Sequence, residues 1–184
     1  MTGRRLFPAL AAWLAAACGD PLSIDAERPV REQALVVYAI TGTPLAAPSA
    51  LSTIDHTVLR LPAASFDLAF DIDEQGRAVL YPVQLVGTGL GQTGILKQPG
   101  VAFESVSRAP TGPYDESAPT TAAVGELHVI RARPPECSGS LKGPEIFSKL
   151  AVTAVDPATR AITIRLRVDP NCGFRDFGDG IPSD

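Results

Sequence analysis

Between residues 66 and 73 the chain runs Phe-Asp-Leu-Ala-Phe-Asp-Ile-Asp, and this alternation narrows the possible folds more than any other feature. Successive side chains of an extended strand point to opposite faces. Phe66, Leu68, Phe70 and Ile72 therefore share one face, and Asp67, Asp71 and Asp73 the other. Glu74-Gln75-Gly76 supplies a turn, after which Val79, Tyr81, Val83 and Leu85 alternate back. The pattern predicts a hairpin over 66–85. Pro82 lacks an amide donor, which puts the second strand at an edge or beside a bulge.

The C-terminal region repeats the pattern. Ala151–Val155 leads into Asp156-Pro157-Ala158-Thr159, a turn sequence. Ile162, Ile164, Leu166 and Val168 then point inward while Thr163, Arg165 and Arg167 point outward. Leu35–Ile40 is apolar on both faces and suits a central strand. Val58–Leu61, Val101–Val106 and Leu127–Ala132 bring the expected number to seven or eight. Pro144–Leu150 is the one short helical candidate, with Pro at its first position. Turn signals at short intervals predict an all-β fold over 34–184, a single antiparallel β-sandwich of immunoglobulin-like or related type. Residues 105–125 are polar and hold three prolines. They are expected to form a mobile surface loop, with Tyr114 its only aromatic and its candidate contact residue.

The N-terminus follows different rules. Arg4 and Arg5 precede an apolar run, Leu6–Ala17, that ends in Ala15-Ala16-Ala17-Cys18. Twelve helical residues span about 18 Å, too short for a hydrocarbon core of roughly 30 Å. The layout is that of a cleavable export signal. Ala15-Ala16-Ala17-Cys18 resembles the lipobox of bacterial lipoproteins, although Ala15 stands where that pattern prefers Leu. The resemblance, which covers only about the first twenty residues, implies a diacylglyceryl group on the Cys18 sulfur and cleavage before it. It also implies palmitate-type acylation of the new N-terminus and location in the cell envelope. Gly19 after the cysteine points to the outer membrane in the sorting scheme of such lipoproteins. The alternative is an ordinary signal peptide cut near Ala17. Arg4-Arg5-Leu6-Phe7 partly resembles a twin-arginine signal, with Pro8 against it. The expected organisation is a signal peptide at 1–17, a lipidated cysteine and tether at 18–33, and the sandwich at 34–184.

Without Arg4 and Arg5 the formal charge moves from −4 to −6, which gives no support to nucleic-acid binding. Cys18, Cys137 and Cys172 are the three cysteines. In an oxidising compartment Cys137 and Cys172 are expected to pair as a structural disulfide, with Cys18 set apart for lipid. There is no CxxC, and neither histidine is close to a cysteine in sequence.

Several patterns look chemical. Gly89-Leu90-Gly91-Gln92-Thr93-Gly94 matches GxGxxG, but Pro99-Gly100 leaves no room for the helix that phosphate binding needs. It is expected to be a glycine-rich β connection. Asp71–Gly76 could start a calcium loop, yet it lacks the spacing of an EF-hand, and its acidic residues suit a hairpin turn. His56 and His128 show no zinc-ligand spacing. No GxSxG elbow is present for a serine hydrolase. Arg131 with Arg133, and Arg165 with Arg167, each share a strand face, and on neighbouring strands they would form one anion-binding surface. The leading expectation is a non-enzymatic, membrane-anchored envelope lipoprotein with a structural or partner-binding role, needing no cofactor and no metal. The alternatives are a module for an anionic glycan or lipid headgroup, and a hydrolase of unrecognised geometry.

Overall fold

The computed structural model describes residues 25–63, 65–87 and 91–182. Ten strands form two five-stranded sheets: β1 (Arg31–Tyr38), β2 (Pro48–Ser52), β3 (Thr57–Arg60), β4 (Leu68–Ile72), β5 (Ala78–Pro82), β6 (Gln92–Gln98), β7 (Thr120–Ala122), β8 (Leu127–Arg133), β9 (Ile146–Asp156) and β10 (Ala161–Asp169). The first sheet has the order β1-β10-β9-β8-β6 and the second β3-β2-β4-β5-β7. Every pairing between these strands is antiparallel. The sandwich core lies between them. Val37, Ile130, Leu150, Ile162, Ile164 and Leu166 of the first sheet meet Leu51, Leu68, Phe70 and Leu80 of the second. All ten side chains are fully buried.

The alternating stretches fold as their period dictates. β9 and β10 form the C-terminal hairpin, with Ile162↔Val155 and Leu166↔Leu150 in register. β4 and β5 form the other hairpin, and the Asp73 carboxylate closes its turn by accepting from the amides of Gln75 and Arg77. That hairpin is shorter than 66–85. Phe66 joins a separate cluster with Ala50, Ala69 and Val83 on the outer face of the second sheet. Asp67 is buried rather than solvated, and its carboxylate accepts from the Thr53 amide and hydroxyl at 2.6 Å. Pro82 ends β5 two residues beyond the last pair with β7, Leu80↔Thr120, where no donor is required. Val83–Val86 then forms one helical turn.

Three expectations are overturned. Val101–Val106 is not a strand: Phe103–Ser105 forms a 3-10 turn, and Phe103 packs down on Leu127 and Ala151. Pro144–Leu150 is not a helix, because Ile146–Leu150 opens β9 and is buried on both faces. Residues 105–125 are not a mobile loop. The backbones of Ile95 and Asp115 exchange two hydrogen bonds at 2.9 Å, which also covers the β6 edge. Gly94 permits that approach, since a Cβ there would stand 2.7 Å from the Tyr114 Cβ. The Gln84 side chain binds the carbonyls of Thr93 and Glu116 and accepts from the Thr93 amide. The loop backbone also pairs with the C-terminal segment, through Ala109 to Arg175 and Phe177 to Ser107. Tyr114, Ala109 and Phe177 thereby lie on Val129 and Phe147, as a partial third layer over the outer face of the first sheet.

The chain enters β1 earlier than expected, with Arg31–Gln33 inside the strand. Just before it, the Asn171 carboxamide accepts from the amides of Glu27 and Arg28 and donates to the Arg28 carbonyl. The protein's single asparagine thus fixes where the N-terminal segment meets the domain. Among the described residues no helix is long and apolar enough to cross a membrane.

Candidate functional site

Cys137 and Cys172 form a disulfide, with their Cα atoms 5.5 Å apart. It is packed against Ile146 and Val168 at the end of the sheet where β10 finishes and β9 begins. Each cysteine is followed by a loop, and the bridge brings those loops together. The Gly173 amide donates to the Glu145 carbonyl at 2.7 Å. A Cβ on Gly173 would stand 2.6 Å from the Lys142 carbonyl carbon, so only glycine allows the contact.

Above this junction a cleft of about 270 Å³ opens on the outer face of the first sheet. Arg131 of β8 and Phe147 of β9 form its floor, and Tyr114, Lys142, Glu145 and Arg175 its walls. Aromatic rings hold the cations. The Arg131 guanidinium lies 4.8 Å from the Tyr114 ring centre and that of Arg175 4.9 Å from the Phe147 ring centre. The Lys142 ammonium lies 4.0 Å from the ring centre of Phe174. Arg175 also donates to the carbonyls of Ala109 and Pro110. The Tyr114 hydroxyl donates to Pro110 at 2.8 Å, and burial pushes its pKa up, so it stays protonated at neutral pH.

The four arginines expected as one surface are divided. β9 separates β8 from β10, placing Phe147 opposite Arg131 and Lys149 opposite Arg167. Arg165 and Arg167 share Glu32, at 2.7 Å and 2.9 Å, and each has a further carboxylate, Glu104 and Asp179 respectively. Burial raises the Glu32 pKa, but hydrogen bonds from Arg167 and Arg165 outweigh it and leave the group below the usual glutamate range. Lys149 is buried between the two arginine pairs and donates to the carbonyls of Phe103 and Val106 at 2.7 and 2.9 Å. Burial lowers its pKa. Arg131 and Arg133 share Glu116, at 2.6 and 3.4 Å, and Arg133 also reaches Glu145. The Arg165 end therefore sets three cations against three carboxylates. At the cleft end Arg131 and Arg133 pair with Glu116 and Glu145, and Lys142 and Arg175 line the same opening.

The remaining candidates do not join the cleft. His56 sits in the β2–β3 turn with a positive φ, while His128 is fully buried on the inner face of β8. Burial lowers the pKa of both histidines. Asp71 pairs with Arg160 and accepts from Thr41, and Asp73 pairs with Arg77. Among the described residues no group of three or more metal-ligating side chains converges. Gly89 and Leu90 lie outside the described residues, as do Ala15–Cys18, whereas Gln92 and Gly94 are part of β6. Lys142, Glu145, Glu116 and Arg175 were not anticipated from the sequence. The signal for Lys142 and Arg175 is the disulfide, since residues shortly after two bonded cysteines are neighbours. No protein-family model and no curated protein matches the chain.

Proposed function

We propose that this is a lipid-anchored cell-envelope protein, fastened through Cys18, whose sandwich domain is a non-enzymatic binding module. The observation that carries the reading is where the chain enters the domain. Asn171 receives Glu27 and Arg28 one residue from Cys172, so the N-terminal segment meets the domain at the end that holds the disulfide and the cleft. A structural disulfide accords with an exported domain, and its presence leaves Cys18 as the one cysteine available for lipid. Metabolic palmitate labelling tests the anchor. The label should enter the wild-type chain and vanish in Cys18→Ser, with loss of membrane association. Unchanged processing and association in that variant would overturn it.

A second reading, a module for an anionic ligand, is favoured by the convergence of Arg131 and Arg175 on one open cleft. Binding there should weaken with added salt. The arginines that support this reading are Arg131 and Arg175, with Lys142, in place of the Arg131, Arg133, Arg165 and Arg167 surface.

A further inference from the structure

We infer that the free edge of β1 pairs two copies of this chain, strand against antiparallel strand, into a dimer that joins two five-stranded sheets into one. The inference stands apart from the Cys18 anchor and from the cleft.

The four sheet edges are treated unequally. β6 is covered: Ile95 exchanges two hydrogen bonds with Asp115, and the Gln84 carboxamide takes both backbone groups of Thr93. β3 and β7 offer only four and three residues. β1 offers eight, with β10 on one side and, among the described residues, no strand on the other.

The register shows which of its backbone groups are free. The Ala39 amide donates to the Arg160 carbonyl across the β1–β10 pair, at 3.0 Å. Residues that bond a given neighbour alternate along an antiparallel strand. Val37, Leu35 and Gln33 therefore face β10, and Glu32, Ala34, Val36 and Tyr38 face away from it. The flanking amides on that outer side are taken, Val30 by the Gly180 carbonyl and Ile40 by that of Phe70, each at 2.8 Å. Among the described residues, the amides and carbonyls of the four residues between them have no partner. Ala34 is exposed, and Val36 is 45% exposed.

This run is complementary to itself. About a two-fold axis at Leu35, Glu32 of one copy faces Tyr38 of the other, and Ala34 faces Val36. Each facing pair can exchange two backbone hydrogen bonds, which uses every free group of both copies. Charge agrees with that register. The middle, Gln33–Val37, is uncharged, and the two Glu32 carboxylates stand at opposite ends of the ladder. The usual devices that keep edge strands apart are missing. No Pro, Lys or bulge interrupts β1, and Arg165 and Arg167 already hold Glu32. The axis runs perpendicular to the sheet, so both N-terminal segments start at one height above a membrane that the sheet faces.

The test is sedimentation equilibrium of the full chain in detergent, with amide exchange read residue by residue. Wild type should form a dimer that dissociates on dilution. The Ala34, Val36 and Tyr38 amides should be protected in the dimer and exchange freely in the monomer. Val36→Pro removes one outward amide and no bond to β10, while Val36→Lys sets two cations beside the axis. Each should raise the dissociation constant at least about tenfold, in variants with wild-type circular dichroism. Thr120→Lys, on β7, should change it less than about twofold. Val36→Lys alters only an exposed side chain, so it decides the matter if the proline variant does not fold. A chain that stays monomeric at every concentration would overturn the inference. So would a dimer that Val36→Lys leaves intact, which places the contact elsewhere, or an assembly larger than two, which a closed pair does not build.

Discussion

The two lateral ends of the first sheet's outer face, one at β1 and β10 and the other at β8 and β9, use the same residue types to different effect. At one end Arg165 and Arg167 close on Glu32, with Glu104 and Asp179 outside them, and Lys149 beneath binds two carbonyls. Its three cations meet three carboxylates, although among the described residues the buried Arg167 Nε has no acceptor. At the other end Arg131 and Arg133 share Glu116 beside an open cleft that Arg175 and Lys142 also line. An arginine pair on a strand is therefore not itself a site. What distinguishes the ends is the open cleft, and the loops, joined by the disulfide, that wall it.

The largest expected effect separates the ends by removing the bridge. Replacing both Cys137 and Cys172 with Ser should lower stability by about 4 kcal/mol in the chain-entropy model, measured by urea unfolding. Amide exchange should accelerate at residues 138–145 and 173–175 while the β1–β10 ladder keeps its protection. Uniform loss of protection would erase the contrast.

Next is Lys149→Met, which removes the cation between the ends. The carbonyls of Phe103 and Val106 would lose their donor, at a cost of about 2 kcal/mol. The effect should concentrate at the Arg165 end, because Phe103 also lies under the Arg165 guanidinium at 4.2 Å.

Glu32→Gln and Glu116→Gln form a matched pair, each expected to lower stability by about 1 kcal/mol at pH 7. They should differ in anion binding: Glu116→Gln should tighten it about twofold, and Glu32→Gln should leave it unchanged. The Glu32 contribution also has a defined pH window. Its folded pKa lies below its unfolded value, so its stabilisation is present above the ordinary glutamate range and disappears as pH falls through the folded value.

The smallest effect belongs to His128, which faces the core and serves neither end. Burial lowers its pKa, while Glu126 at 4.0 Å raises it and Lys97, which pairs with Glu126, lowers it. The unfolded chain therefore binds a proton first as pH drops below about 6.5, and stability falls there. His128→Gln should flatten that decline below about pH 6.5, with equal consequences at both ends.

The same contrast explains how far the sequence could be read. β4, β5 and β10 were legible because one face of each meets the core and the other carries polar groups, which keeps the period of two intact. β9 hid as a helical candidate because Ile146–Leu150 is buried on both faces, by the core and by the third layer. β2 was missed for the same reason, with Ser49–Ser52 all buried. The strand assigned to Val101–Val106 failed because a tertiary demand, the Lys149 ammonium, uses its carbonyls. The disulfide and Tyr114 were visible as residue types. The cleft was not, because Arg131, Lys142 and Arg175 are brought together only by the bridge and by the glycine contact at Gly173.

The central claim is that the disulfide-joined loops, and not the arginine pairs themselves, set the two ends apart, and amide exchange of the full chain before and after reduction tests it most directly. Reduction should accelerate exchange at residues 138–143 and 173–175 and leave exchange at Glu32, Arg165 and Arg167 unchanged. Acceleration centred on Arg165 and Arg167, or none at either end, would contradict it.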